Sequence, residues 1–116
     1  MDIDTIPEVY TKQDLRFDFE CVESDGTTPF DLTAGGVAEF QMWRGGLYPF
    51  TISLSTLTDP GAATITNAAG GLVRFMVPAM DMDLTPGLCR YQVRTTAGDG
   101  HTEIQVRTWM RLLEAV

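Results

Sequence analysis

The sequence contains little of the chemistry on which most enzymes depend. Its 116 residues include one histidine and two cysteines, and Lys12 is the single lysine. A serine or cysteine nucleophile needs a base beside it, and His101 is the one imidazole that could serve. No glycine-rich loop precedes a helix to hold a phosphate group. We therefore predict no catalytic residue, no cofactor and no enzymatic activity.

Basic residues are also scarce. The chain has 16 acidic residues against 8 basic ones, and its formal net charge is −8 at pH 7. Binding to nucleic acid requires clustered lysine and arginine, and anionic lipid attracts the same residues. No apolar run approaches the ~20 residues of a membrane-spanning helix. We predict that neither a nucleic acid nor a membrane is a partner.

The N-terminal region carries most of the excess charge. Residues 1–25 contain eight acidic residues against Lys12 and Arg16, a net charge of −6. Residues 1–11 do not alternate and include Pro7, so we predict an extended acidic arm that a neighbouring molecule could order. Residues 12–116 form the predicted single domain. The arm could contact a basic surface, or its charge could serve solubility alone.

Apolar and polar residues alternate with a period of two through the rest of the chain. The alternating segments are 15–22, 37–44, 50–55, 63–66, 73–77, 89–93 and 102–113. Short turn signals rich in glycine, proline and aspartate separate them. This pattern predicts an all-β fold, an immunoglobulin-like antiparallel β-sandwich of about seven to eight strands. In the last segment we expect Ile104, Val106, Met110 and Leu112 to face the core.

The two cysteines raise the question of an antibody-type disulfide. Cys21 and Cys89 both fall on predicted inward faces, as the disulfide of an antibody domain requires. However, Gly87 stands two residues before Cys89 in place of the antibody tyrosine. The acidic N-terminus is also unlike a secretory signal, which predicts synthesis and retention in a cytoplasm. We therefore predict reduced, buried thiols and no disulfide.

Acidic residues near turns are the remaining candidates for a chemical site. Asp81 and Asp83 could hold a calcium ion together with Asp99, but the known calcium-loop signature is absent and such residues more often cap backbone N–H groups. Asp31, before Leu32-Thr33, is expected to accept hydrogen bonds from the following backbone. A lone loop histidine such as His101 is usually solvent-exposed. We predict no metal site.

Exposed aromatic and arginine residues are more informative, because these types anchor protein interfaces. In the predicted register Trp43 and Trp109 face outward and Tyr48 lies in a loop, although a slip of one residue would bury either tryptophan. An aromatic strip can also stack on sugar rings, so carbohydrate binding stays open. The predicted interface residues are Asp2, Asp4, Tyr10, Trp43, Tyr48, Trp109 and Arg111.

Several short motifs occur in a particular order. These are Asp25-Gly26, Asp31-Leu32-Thr33, Phe40-Gln41-Met42-Trp43-Arg44, Ile65-Thr66-Asn67-Ala68-Ala69-Gly70-Gly71, Val73-Arg74-Phe75 and Pro86-Gly87-Leu88-Cys89-Arg90-Tyr91-Gln92-Val93. Over residues 12–113 this order resembles small β-sandwich modules of tailed-bacteriophage virions, notably the N-terminal domain of baseplate upper proteins. The sequence departs from that pattern at Ala34, where the modules prefer glycine, and at Cys89, where they have tyrosine.

The resemblance implies a non-enzymatic structural protein of a virion, located in the tail or baseplate, the neck or the capsid surface. Such a protein would be synthesised in the cytoplasm of the bacterial host and would then reside in the virion. Its partners would be other virion structural proteins, including further copies of itself in a symmetric homo-oligomer. The alternative is a module that binds carbohydrate or a host receptor through the exposed aromatic residues.

Overall fold

Two β-sheets packed face to face make up the protein. The computed structural model describes residues 7–115. The strands are β1 (Glu8–Tyr10), β2 (Leu15–Glu20), β3 (Val37–Arg44), β4 (Phe50–Ser55), β5 (Ala63–Asn67), β6 (Leu72–Val77), β7 (Gly87–Thr96) and β8 (Thr102–Leu113). One short 3-10 turn, Ala79–Met82, separates β6 from β7. Within the described residues, no helix is long and apolar enough to span a membrane.

The strand order divides the chain into a larger and a smaller sheet. The five-stranded sheet has the order β1-β8-β7-β3-β4, and the three-stranded sheet has the order β2-β6-β5. Neighbouring strands are antiparallel except β1, which pairs with β8 in parallel. The predicted all-β, immunoglobulin-like antiparallel sandwich is therefore confirmed, and its eight described strands fall within the predicted number.

The core lies between the sheets and consists of the predicted inward residues of alternating strands. Phe40 and Met42 of β3, and Phe75 of β6, are fully buried. Phe17 of β2 meets the ring of Phe40 edge to face, with centroids 5.1 Å apart, and lies 5.5 Å from the ring of Phe75. Because successive side chains of a strand point to opposite sides, one apolar residue in two is enough to build this layer.

Part of the predicted arm lies on the chain's own sheet. In β1, Glu8 is opposite Arg111 and Tyr10 is opposite Leu113. The backbone N–H of Arg111 donates to the carbonyl of Pro7, at 2.9 Å. Residues 8–10 are thus extended, and they pair within the chain. That a neighbouring molecule orders residues 1–11 stays a prediction.

A β-bulge in β8 changes which of its residues face the core. Val93 pairs with Val106, but the next residue, Arg94, pairs with Ile104, so Gln105 is an extra residue. An extra residue reverses the alternation beyond it. Ile104 is consequently 50% exposed, and the prediction that it faces inward is wrong. Met110 and Leu112, on the other side of the bulge, are buried as predicted.

Both cysteines are buried and free, as predicted. The side chain of Gln105 bonds to the backbone of Val22 and to Thr95, which places Cys21 close to the level of Thr95. Cys89 is six residues before Thr95 on β7, a distance of about 20 Å at ~3.3 Å per residue. A disulfide requires Cα atoms within about 7 Å, so these two cysteines lie too far apart along the sandwich.

Candidate interaction surface

The outer face of the five-stranded sheet carries a row of aromatic and arginine side chains. Arg90 of β7 lies opposite Trp43 of β3 on one side and opposite Trp109 of β8 on the other. Directly opposite residues on neighbouring strands have Cβ atoms only ~5 Å apart. The pleat therefore brings residues that are far apart in the sequence into one continuous row.

Two arginines stack on the two tryptophans. The guanidinium carbon of Arg90 lies 4.8 Å from the ring centre of Trp109, and that of Arg107 lies 5.8 Å from the ring centre of Trp43. A cation over an indole face is attracted by the quadrupole of the ring, by about 0.5–1 kcal/mol at an exposed site. These contacts hold the rings in place. We call Trp43, Arg90, Arg107, Trp109 and Arg111 the Trp/Arg face.

Most of the predicted interface residues that the structure describes lie on this side of the sheet. Trp109 is 44% exposed and Trp43 is half-buried. Arg111 is exposed on β8, and Tyr10, at the sheet edge, is 49% exposed. Asp2 and Asp4 lie outside the described residues. The role of these residues in an interface stays a prediction.

Tyr48 lies apart from the row, in the loop between β3 and β4. Its side chain is 61% exposed and its backbone has φ of +61°, a left-handed conformation. The carbonyl of Tyr48 accepts a hydrogen bond from Nε of Arg44 at 3.2 Å. Arg44 in turn lies over the ring of Phe50, at 5.1 Å. Tyr48 therefore belongs to the end of the sandwich rather than to the sheet face.

The Trp/Arg face is basic, although the protein as a whole is acidic. Arg90, Arg107 and Arg111 belong to it, and a fourth arginine on the same face, Arg94, pairs with Glu39 at 2.9 Å. These four arginines are half of the 8 basic residues of the chain. Two acidic residues also lie on this side of the sheet, Glu39 on β3 and Glu8 on β1 opposite Arg111.

Sequence reasoning missed two hydrogen-bond donors beside the row. A depression of about 240 Å³ lies there, and Trp43, Arg44, Arg90 and Trp109 are among the residues that line it. Among residues 7–115, Nη2 of Arg44 and Nε of Arg90 are buried and have no acceptor. A buried donor without an acceptor costs about 1–3 kcal/mol. A strand pattern shows which way an arginine points but not whether its nitrogen atoms find acceptors.

The acidic residues near turns mostly bind backbone. Oδ1 of Asp31 accepts hydrogen bonds from the hydroxyl and the backbone N–H of Thr33, at 2.6 and 2.9 Å, which confirms its predicted role. These bonds, the hydroxyl first, lower the pKa of Asp31. In the described part of the chain, Asp81, Asp83 and Asp99 do not form a group of metal-ligating side chains.

Comparison with known proteins assigns no function to this surface, so its role is inferred from its chemistry. No protein-family model matches the sequence, and no curated protein matches it.

Proposed function

We propose that this protein is a non-enzymatic structural component of a bacteriophage virion that binds neighbouring virion proteins through its Trp/Arg face. The order of motifs that resembles phage β-sandwich modules supports the virion setting. The tail or baseplate, the neck and the capsid surface are all compatible positions. The chemistry of the sheet face supports protein contacts as the mode of action.

The observation that carries the proposal is the pair of unsatisfied donors beside exposed aromatic rings. Nε of Arg90 and Nη2 of Arg44 have no acceptor within residues 7–115, while Trp109 is 44% exposed next to them. The two arginine side chains would have to shift before a carboxylate or carbonyl of a partner could accept hydrogen bonds from these nitrogen atoms, and the contact would bury the rings. Tryptophan and arginine at the centre of a desolvated patch are the residue types that dominate binding energy.

The partner best matched to this face is a second copy of the chain. The face carries three arginines, Arg90, Arg107 and Arg111, whereas residues 1–25 carry a net charge of −6. Contact between different surfaces of identical copies builds rings or filaments, which is the symmetry that a virion component requires. Exposed charges at such a contact are screened by salt, over a distance of ~10 Å at 0.1 M.

Sedimentation of the purified protein tests this mode of association. We expect assembly that grows with protein concentration and weakens between 0.05 and about 0.5 M salt. Trp109→Ala and Arg90→Gln should reduce assembly at least tenfold while the melting temperature changes little. Leu57→Ala is the matched control, because Leu57 is 73% exposed and lies off the face. A monomer at every concentration, or a Trp109→Ala variant that changes only the melting temperature, would contradict the proposal.

Particle composition tests the virion setting separately. Particles produced from the genome that encodes this chain should be purified, and their proteins should be quantified by mass spectrometry. We expect the chain in many copies per particle and a loss of incorporation on Trp109→Ala. Absence of the chain from intact particles would refute the virion role and leave association through the Trp/Arg face to be judged on sedimentation alone.

A carbohydrate- or receptor-binding module is the second candidate, and the exposed ring of Trp109 favours it. The stacked arginines weigh against it, because Arg90 already covers a face of Trp109 and Arg107 covers a face of Trp43. A sugar that stacked on those faces would have to displace a guanidinium group. Glycan-array binding together with quenched tryptophan fluorescence on sugar titration would favour this function over the first.

A further inference from the structure

Three metal-ligating side chains meet at one end of the sandwich, away from the Trp/Arg face. Ligand atoms of Glu23, His101 and Glu103 all lie within 4.8 Å of one another. Nε2 of His101 is 3.0 Å from Oε1 of Glu103 and 3.8 Å from Oε2 of Glu23. Glu23 follows β2, while His101 directly precedes β8 and Glu103 is the second residue of that strand. The cluster therefore joins the loop after one sheet to a hairpin of the other.

Packing and backbone hydrogen bonds hold the cluster in position. The ring of His101 stacks on Phe30, with centroids 6.0 Å apart and planes inclined by 16°. Its backbone N–H donates to Oδ1 of Asp99 at 2.9 Å. Glu103 is fixed in the β7–β8 ladder opposite Thr95, and its side chain is 24% exposed. The imidazole and at least one carboxylate thus have limited freedom to separate.

The surroundings of the cluster are negative. A depression of about 310 Å³ beside His101 is lined by eight residues, among them the carboxylates of Glu23, Asp31 and Asp99. No lysine or arginine lines it. A cation would be attracted to this negative surface.

We propose that Glu23, His101 and Glu103 bind a divalent transition-metal ion, for which Zn²⁺ is the probe. Tetrahedral zinc with bonds of ~2.0–2.1 Å to nitrogen and oxygen has ligand atoms ~3.3 Å apart. The separations of 3.0 and 3.8 Å from Nε2 of His101 bracket that value, and the two carboxylates lie within 4.8 Å of each other. The ion would replace the hydrogen bond between His101 and Glu103 and draw the carboxylates together. An imidazole ligand favours zinc over calcium or magnesium, which prefer oxygen ligands alone. Three protein ligands leave one position for water or for a group of a partner.

This site goes beyond the proposed function, because none of its ligands belongs to the Trp/Arg face. The sequence pattern gives no sign of this site, because Glu23 is remote from His101 in the chain. The buried thiols do not compete for the ion, since burial raises the pKa of Cys21 to about 12 and that of Cys89 to about 11. A thiol binds zinc as the thiolate, which these pKa values disfavour at neutral pH.

Titration of the untagged full chain with zinc chloride at pH 7.5 tests the site. Calorimetry should show one saturable site per chain, and zinc should raise the melting temperature by several degrees. His101→Asn and Glu103→Gln should each weaken binding at least tenfold. Glu20→Gln is the control, because it removes one negative charge at an exposed position of β2. It should leave the affinity for zinc unchanged. The metal-free melting temperature of each variant shows whether it folds.

Cobalt provides a readout that does not depend on stability. Co²⁺ bound to the wild-type protein should produce visible absorption bands. Adding zinc should remove these bands by displacing the cobalt, whereas adding calcium should not. The His101→Asn variant should show no such bands. Absence of saturable zinc binding would overturn the proposal. Zinc binding that persists in His101→Asn, or that Glu20→Gln weakens as much as Glu103→Gln does, would overturn it as well, because each would indicate non-specific attraction to an acidic surface.

Discussion

Ala34 has a backbone conformation that suits glycine better than alanine. Its φ is +58°, in the left-handed region where a Cβ atom crowds the following carbonyl. We expect Ala34→Gly to raise the free energy of unfolding by about 0.5–1 kcal/mol. Urea denaturation measures it, and Ala38→Gly, at a buried strand position, should be destabilising instead.

Gly98 lies against the backbone of Ala34. A Cβ atom on Gly98 would be 2.2 Å from the carbonyl oxygen of Ala34, so this turn has no room for a side chain. We expect Gly98→Ala to lower the free energy of unfolding by more than about 1 kcal/mol through overpacking. Gly61→Ala is the matched control, since nothing lies within 4 Å of its Cβ position. Equal stability of the two variants would contradict the close approach.

Asp25 makes the turn after β2 sensitive to acid. The hydroxyl of Thr28 donates to its carboxylate, as do the backbone N–H groups of Thr27 and Thr28. These bonds, the hydroxyl first, lower the pKa of Asp25 to about 2. The folded pKa lies below the unfolded value of about 4, so the contribution to stability is complete above pH ~4 and is lost as the pH falls through 2. Carboxyl titration followed by NMR should show Asp25 titrating near pH 2 and, in Thr28→Val, at higher pH.

At the scale of elements, the bulge in β8 positions Gln105 to bond with a distant segment. Oε1 of Gln105 accepts a hydrogen bond from the N–H of Val22 at 2.8 Å, and its Nε2 donates to the carbonyl of Val22 and to the hydroxyl of Thr95, both at 2.9 Å. Without the extra residue, position 105 would lie on the outer face. The irregularity in the ladder thus supplies a polar link between β8 and the segment that follows β2.

Removal of that link should destabilise the fold. In Gln105→Ala the N–H and C=O of Val22 lose their partners in a half-buried position, which we expect to cost about 1–3 kcal/mol. Denaturant unfolding measures the loss. Gln92→Ala provides the comparison, because Gln92 lies on the outer face of the same sheet, and it should change stability by less than about 0.5 kcal/mol. A Gln105→Ala variant as stable as Gln92→Ala would show that water replaces the bonds.

At the scale of the molecule, the sandwich needs no covalent link between its sheets. Apolar burial holds them together, and the raised pKa values of Cys21 and Cys89 keep both thiols protonated at neutral pH. We expect a thiol reagent to label neither cysteine in the folded protein and both after unfolding. The melting temperature should be the same with and without reductant. A lower melting temperature in reductant would indicate a disulfide and a different spacing of the sheets.

The charge distribution also belongs to the whole molecule. The −8 net charge suggests a uniformly acidic protein, yet four arginines share one outer face. The positive charge of that face could be predicted only in part from the sequence. Alternation indicated that Arg90, Arg107 and Arg111 point outward, but the stacking on Trp43 and Trp109 depends on which strands are neighbours. Any association through this face is therefore a property of the assembled sheet.

The sequence by itself determined the fold class, the approximate strands and most of the core. Successive side chains of a strand point to opposite faces, so buried residues appear in the sequence as apolar residues with a period of two. It also indicated free thiols and the turn role of Asp31. The tertiary structure decided the pairing of β1, the bulge at Gln105 that exposes Ile104, and the meeting of Glu23 with His101 and Glu103. These features depend on contacts between segments that are far apart in the sequence. A local sequence pattern does not show which distant segment will pack beside a given strand.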